Sequence, residues 1–308
     1  MKKFFLIFCL LLFFNNAFTQ GYKIRGEIKN MEDTTVILAY YFGGKQYATD
    51  TADVVNGELT FSADKKLDGG MYLLVLPDGK YFELIISEQK FSFTTDKDDL
   101  VSSMRFQNSK ENTAFYEYLK YITKKQKEVS PLKEKKSNAK SEEEKEKIQV
   151  AIAKVDDAVR AYRNAFNKKY PNVFFSKIIR ATTDIEIPET PLDSAGKPKE
   201  NFSFFYYKKH FWDNMDFSDQ RMLRTPVFFN KMDEYLEKLS PKHPDSIIVS
   251  ADIMIEKSRA NKEVFQYVVS YITATYERSK IMGMDAVFVH MVEKYYINGE
   301  CDWVKEKQ

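Results

Sequence analysis

The hydrophobic period of this chain changes once, at Ser109, and that change constrains the fold more than any other feature. From Tyr22 to about Phe106 apolar residues alternate with polar ones, a period of two that specifies half-buried strands. Asn56-Gly57, between Val54-Val55 and Leu59-Thr60-Phe61, is the strongest hairpin signal, because both residues tolerate the positive φ of a type I′ turn. Pro77-Asp78-Gly79 separates two further apolar runs in the same way. About seven short strands with tight turns predict an antiparallel β-sandwich or a partly open barrel. After Ser109 the spacing becomes helical: Phe115, Tyr118, Leu119 and Ile122 share one face. Ile148, Ile152, Val155, Val159, Tyr162 and Phe166 form a second continuous stripe, so two antiparallel helices follow.

Between those helices Lys133 to Lys147 holds six lysines and five glutamates, the composition of a solvated helix tip. Ser141 with Glu144 matches a capping box that starts the second helix. Beyond Tyr170-Pro171 the sequence reads as short aromatic-rich helices, with a Pro- and Gly-containing loop from Thr182 to Asn201. Asn261 caps a helix through Val264, Val268, Tyr271 and Thr275. Gly283 ends it before a last helix from Asp285 to Tyr296. The fold class is therefore α+β: an N-terminal antiparallel sandwich or partly open barrel over 20–108, a helical hairpin over 109–170, and a mostly α-helical domain over 171–308.

Residues 1–19 read as a secretory signal peptide. Lys2 and Lys3 form a positive n-region, Phe4 to Phe14 an apolar run, and Ala17-Phe18-Thr19 offers small residues at the cleavage positions. The run is too short to span a bilayer, so no transmembrane segment is expected after cleavage. Cys9 follows Phe8 rather than a small residue, which argues against a lipid anchor. The chain of 308 residues carries 47 basic and 45 acidic side chains, and cleavage before Gln20 removes two lysines and no acid. A mature chain without net charge has no electrostatic surplus to recruit nucleic acid or anionic lipid, although a local patch could still exist. Cleavage leaves Cys301 as a lone thiol, so an oxidising compartment would hold a protein stabilised by packing rather than by an internal disulfide.

Few constellations suggest chemistry. A thioredoxin-type thiol pair needs Cys-x-x-Cys, which Cys301 alone cannot supply. Gly-x-Ser-x-Gly, phosphate-loop and dinucleotide-binding glycine motifs do not occur. His210, Asp213, Asp216 and Asp219 recur at intervals of three, so one helical face could gather them as a metal site; calcium loops want alternating oxygen ligands around a glycine and zinc sites more His or Cys, so helix capping and surface charge are the preferred reading. His290, inside an apolar helix, reads as a hydrogen-bonded, half-buried histidine rather than a general base. Tyr206-Tyr207 and Tyr295-Tyr296 could stack on a sugar or peptide, but helix packing accounts for them too. No catalytic, cofactor-binding or metal residue is assigned, and no cofactor is expected.

The order of segments resembles a known arrangement. The run Tyr22-Lys-Ile-Arg-Gly-Glu-Ile, the segment from Asp33 to Tyr47 and Gly70-Met-Tyr-Leu-Leu-Val-Leu-Pro-Asp are similar to a β-rich N-terminal domain of unknown function found in exported proteins of Gram-negative bacteria. Asp216 to Val227, Pro244-Asp-Ser-Ile-Ile and Ile281 to Tyr296 resemble the helical domain that commonly follows it. In that family a thioredoxin-like domain resembling envelope thiol-disulfide oxidoreductases usually comes next and bears Cys-x-x-Cys. This sequence stops at Gln308, so the resemblance implies the two leading domains without the redox domain, and no catalytic residue carries over. The expected function is a non-catalytic periplasmic or cell-envelope binding or scaffolding module with protein partners. The alternative is an accessory in envelope thiol-disulfide exchange acting with a separate thioredoxin-like partner, through Cys301. A hydrolase using carboxylates or His210 is a third possibility.

Overall fold

The computed structural model describes residues 21–304; the leader expected over 1–19, with Cys9, lies outside the described residues. Eight strands form two four-stranded sheets. The first has the order β4 (Glu58–Ala63), β1 (Tyr22–Lys29), β7 (Lys90–Asp96), β8 (Arg105–Gln107). The second runs β3 (Lys45–Val54), β2 (Thr34–Phe42), β5 (Gly70–Val75), β6 (Tyr81–Ile86). Burial alternates strictly along β1, with Tyr22, Ile24 and Ile28 inward and Lys23, Arg25 and Glu27 outward. That is the pattern of a sheet with one face on the core and one in water. The Asn56-Gly57 turn has φ of 52° and 81°, and the flanking Val55 and Glu58 exchange backbone hydrogen bonds of 2.9 and 3.0 Å, as the hairpin signal requires.

Two features depart from the expected sandwich. There are eight strands rather than seven, because the three-residue β8 pairs on the outside of β7. And β1 pairs with β7 in parallel, Lys23 opposite Lys90 through Lys29 opposite Asp96, whereas every other pair is antiparallel. A parallel neighbour far along the chain leaves no hairpin turn to announce it.

Eight helices follow: α1 (Lys110–Asn138), α2 (Glu142–Lys169), α3 (Phe174–Ala181), α4 (Phe202–His210), α5 (Pro226–Glu237), α6 (Pro244–Ser258), α7 (Lys262–Glu277) and α8 (Asp285–Met291). A 3-10 turn, Gln220–Arg224, precedes α5, and α8 continues into a π-helical turn, Val292–Ile297. Ser109, Ser141 and Asn261 cap α1, α2 and α7 with their side chains. The helix begun at Asn261 ends at Glu277, before Gly283, which sits in the following connection with φ +83°. All buried residues of α1 lie between Glu111 and Tyr116, and in α2 only Ile152 and Phe166 are buried. The outer parts of α1 and α2 therefore form a two-helix arm, held by one seam on which Tyr121 and Tyr162 stack at 3.7 Å.

The helical half packs on the outer face of the second sheet. β5 is buried on both faces, since the 3-10 turn covers the side that a free sandwich would expose. One apolar core runs from Tyr22 in β1 to Cys301 beyond the π turn. The outer edge of β6 is closed by Asn112 of α1, whose amide oxygen accepts from Ile85 N and whose amide nitrogen donates to Ile85 O, both at 2.7 Å. Asn112 thus satisfies both Ile85 groups that a further strand would have paired, and the Tyr116 hydroxyl donates to Glu83 O at 3.0 Å on the same edge. Among the described residues no helix is long and apolar enough to cross a membrane.

Candidate functional site

The other edge of the second sheet is β3, and no strand of the described residues pairs with its outer side. Its first five residues, Lys45 to Thr49, are exposed. β3 enters from the Gly43-Gly44 turn, which the helical half grips closely. Gly43 has φ +60° and donates its N–H to Leu223 O at 3.0 Å. A Cβ at Gly43 would lie 2.2 Å from the Tyr267 hydroxyl, and one at Gly44 2.7 Å from the Phe229 ring, so only glycines allow the turn to seat between α5 and α7.

A cleft of about 530 Å³ opens at this point, with Tyr41 and the turn on one side and Pro226, Phe229 and Asn230 of α5 on the other. Its polar groups are the Gln46 and Asn230 amides, the Lys45 ammonium and the Tyr41 phenol. The phenol donates to Glu83 Oε1 at 3.2 Å. Burial, aided by Glu83, drives the Tyr41 hydroxyl well above the usual phenol range, and burial also raises the Glu83 carboxyl. Aromatic faces continue away from the cleft: Phe229 packs edge-on against Tyr271, which stacks on Tyr267, which meets Phe42 edge-on. Tyr47 of β3 stacks on Tyr40 and is 42% exposed. Amides, an ammonium and aromatic faces suit hydrogen bonding and stacking; the lining has no histidine or carboxylate to move a proton.

The residues singled out in the sequence do not converge on this cleft or on one another. His210 Nδ1 meets Asp213 Oδ2 at 2.6 Å, with the Tyr206 ring 4.2 Å from the imidazole. Asp216 and Asp219 instead each lie 2.7 Å from Lys177 Nζ, so the four residues divide between a His210–Asp213 contact and a separate cluster around Lys177. Among the described residues no group of three His, Cys, Asp or Glu could hold a metal. Cys301 is buried, and burial with the neighbouring Glu300 and Asp302 pushes its thiol up to about 11, away from the thiolate that exchange chemistry needs. Tyr207 packs edge-on to Phe211, and Tyr296 lies partly buried against the core.

His290 has a partner that the sequence did not reveal. Asp252 of α6 accepts from Tyr295 OH at 2.7 Å and Lys294 Nζ at 2.8 Å, and its Oδ1 lies 3.0 Å from His290 Nε2. Burial opposes charge on Asp252, but the bonds from Lys294, His290 and Tyr295 hold its carboxyl below the usual range. Three residues of α8 and the π turn are thereby clasped to one side chain of α6, a structural role. Arg224 and Glu111 likewise emerge only in three dimensions. Arg224 Nη2 bridges Asp68 Oδ2 at 2.9 Å and Glu263 Oε1 at 3.0 Å, and Glu111 accepts from Phe174 N and Phe175 N at the start of α3.

Two family models match the chain. A domain of unknown function (DUF4369) covers residues 22–115, the two sheets and the first turns of α1. A second domain of unknown function (DUF5106) covers 124–308, the rest of the arm and the helical half. Comparison with curated proteins and with solved structures finds no match to either set. With well over half its length matched by one model, the chain belongs to the DUF5106 family, carried here behind a DUF4369 domain.

Proposed function

We propose that this chain is a non-catalytic binding module of the bacterial cell envelope, which holds an extended polypeptide segment along β3. The observation that carries the reading is the contrast between the two edges of the second sheet. Side chains of α1 take up outer backbone groups of β6 at Ile85 and Glu83, while β3 stays open and leads into the cleft of about 530 Å³. An unpaired strand offers alternating N–H and C=O groups that an added strand can satisfy, and a cleft at its end supplies side-chain selectivity. Gln46 and Asn230 would meet the segment's amides, and Phe229 and Tyr47 would pack against its side chains. The envelope address rests on the leader expected over 1–19 and on the resemblance to exported proteins in which these two parts precede a thioredoxin-like domain. A direct thiol role gains no support from Cys301, whose sulfur is buried and held protonated.

The test is selection of a displayed random decapeptide library on the purified chain, followed by amide hydrogen exchange with an enriched synthetic peptide. Slowed exchange across Lys45–Val54, together with weaker binding to Phe229→Ala and Asn230→Ala, is the expected result. Protection confined to other elements would overturn the peptide assignment. Chemical alteration of the peptide, abolished by a single substitution in the chain, would overturn the non-catalytic one.

A further inference from the structure

The outer face of the first sheet is open to water, and one end of it is cationic without an evident structural reason. Lys23 and Arg25 point outward from β1, and Lys90 from β7. The parallel register sets Lys23 directly opposite Lys90, and Arg25 opposite Ser92. On the other side of β1 the neighbours are Ser62 and Thr60 of β4, so no acid faces the three cations across either ladder. The nearest acids on this face are Glu27 and Glu58, a pair with each other one step further along, and Lys29 lies beyond them. None of Lys23, Arg25 and Lys90 makes an ion pair with any described residue, although the chain pairs many of its other charges. Like charges placed opposite each other on neighbouring strands cost stability, so the Lys23 and Lys90 register opposes folding.

The three side chains line a single groove of about 240 Å³, together with Ser92 and with Asn108, which is held at φ +60° where β8 ends. We propose that this groove binds a phosphoryl group. Arg25 presents the planar fork that matches two phosphate oxygens, and the two lysines add compact point charges. Ser92 and Asn108 supply neutral donors. Three cations exceed the single charge of a carboxylate and match a dianion. The volume suits a phosphorylated small molecule or one lipid headgroup. The groove lies on the opposite sheet from the β3 cleft, so its fate is independent of the peptide-binding reading.

The test is calorimetric titration of the full chain with inorganic phosphate and with glycerol 3-phosphate. Co-sedimentation with phosphatidylcholine vesicles, with and without phosphatidic acid, runs in parallel. Saturable binding that falls about tenfold or more in Arg25→Gln and in Lys90→Gln, but not in the paired arm residue variant Lys145→Gln, is expected. Binding of the soluble phosphates assigns the group to a small molecule, and binding only of phosphatidic acid vesicles, whose headgroup is a phosphomonoester, assigns it to a lipid headgroup; either supports the site. Lys90→Gln should also raise the melting temperature, since it removes the repulsion from Lys23, which shows that lost binding is not lost folding. Absence of binding to every probe, or binding indifferent to Arg25 and Lys90, would overturn the proposal.

Discussion

Asp219 precedes the 3-10 turn and holds two cations. Its Oδ1 accepts from Arg221 N at 3.1 Å and Arg221 Nε at 2.8 Å, and its Oδ2 meets Arg221 Nη2 at 2.6 Å and Lys177 Nζ at 2.7 Å. Burial alone would raise its carboxyl, but the bonds from Arg221 and Lys177 outweigh burial and hold it at about 2. A carboxyl depressed in the folded state contributes stability that is complete above its unfolded value, near 3.8, and is lost as pH falls toward 2. The depression corresponds to about 2 kcal/mol. We predict that Asp219→Asn costs roughly that much at pH 7, and that urea unfolding of the two proteins converges as the pH approaches 2. A gap that stays constant down to pH 2 would show that charge is not the cause. Asp219 also marks how far single residues can be read in advance. Ser141 and Asn261 were legible as caps because a cap bonds to its own next few residues, whereas Ser109 showed only as the point where the period changes. Asp219 read as one of four regularly spaced polar groups, because Lys177 and the fold of the 3-10 turn decide which way it faces. Asp252 carried no local sign at all, since its partners lie 38 to 43 positions away.

Among the elements, the arm formed by α1 and α2 is the least supported by the rest of the molecule. Each helix has nearly thirty residues and a length of about 43 Å, yet only the base of α1 is buried. The stripe from Ile148 to Phe166 is real as a pattern, but a two-helix arm has a single seam, so most of the stripe is half-covered and only Ile152 and Phe166 are buried. Periodicity reports which face is apolar and is silent on how many partners cover it. The strands show the same limit from the other side: hairpin turns announced their pairs, whereas the parallel contact of β1 with β7 and the open edge of β3 depend on sheet order. If the arm is a self-contained extension, replacing 127–156 with a short Gly-containing turn keeps the Tyr121 and Tyr162 stack and leaves the body intact. We expect a cooperative thermal transition within about 6 °C of the full chain, allowing for the loss of buried Ile152, and a proportionate fall in the helical circular dichroism signal. Loss of the transition would place the arm inside the folding unit.

For the whole molecule the deciding question is whether sheets and helices are two bodies or one. The family boundaries fall within α1, between 115 and 124, yet the physical contacts run across that division. Gly43 is pinned to Leu223 by its backbone, the Arg224 guanidinium sits 5.3 Å over the Phe42 ring, and the 3-10 turn buries the outer face of β5. Arg224 also bridges Asp68, beside the sheets, and Glu263 in α7, tying the two halves through one buried side chain. A shared apolar core and a shared buried ion bridge give neither half a complete interior alone, so scanning calorimetry of the chain should show one transition whose calorimetric and van't Hoff enthalpies agree. Gly43→Ala tests the coupling where it is tightest. The new methyl would meet the Tyr267 hydroxyl at 2.2 Å on a backbone with φ +60°, which combines overpacking with an unfavourable left-handed conformation. The expected cost is about 2 to 4 kcal/mol, felt by both halves together as a single lowered transition. Two separated transitions in the wild type, or a Gly43→Ala effect confined to the helical half, would mean that the sheets fold independently. The β3 cleft, built from both halves, would then lie at a movable joint rather than in a fixed frame.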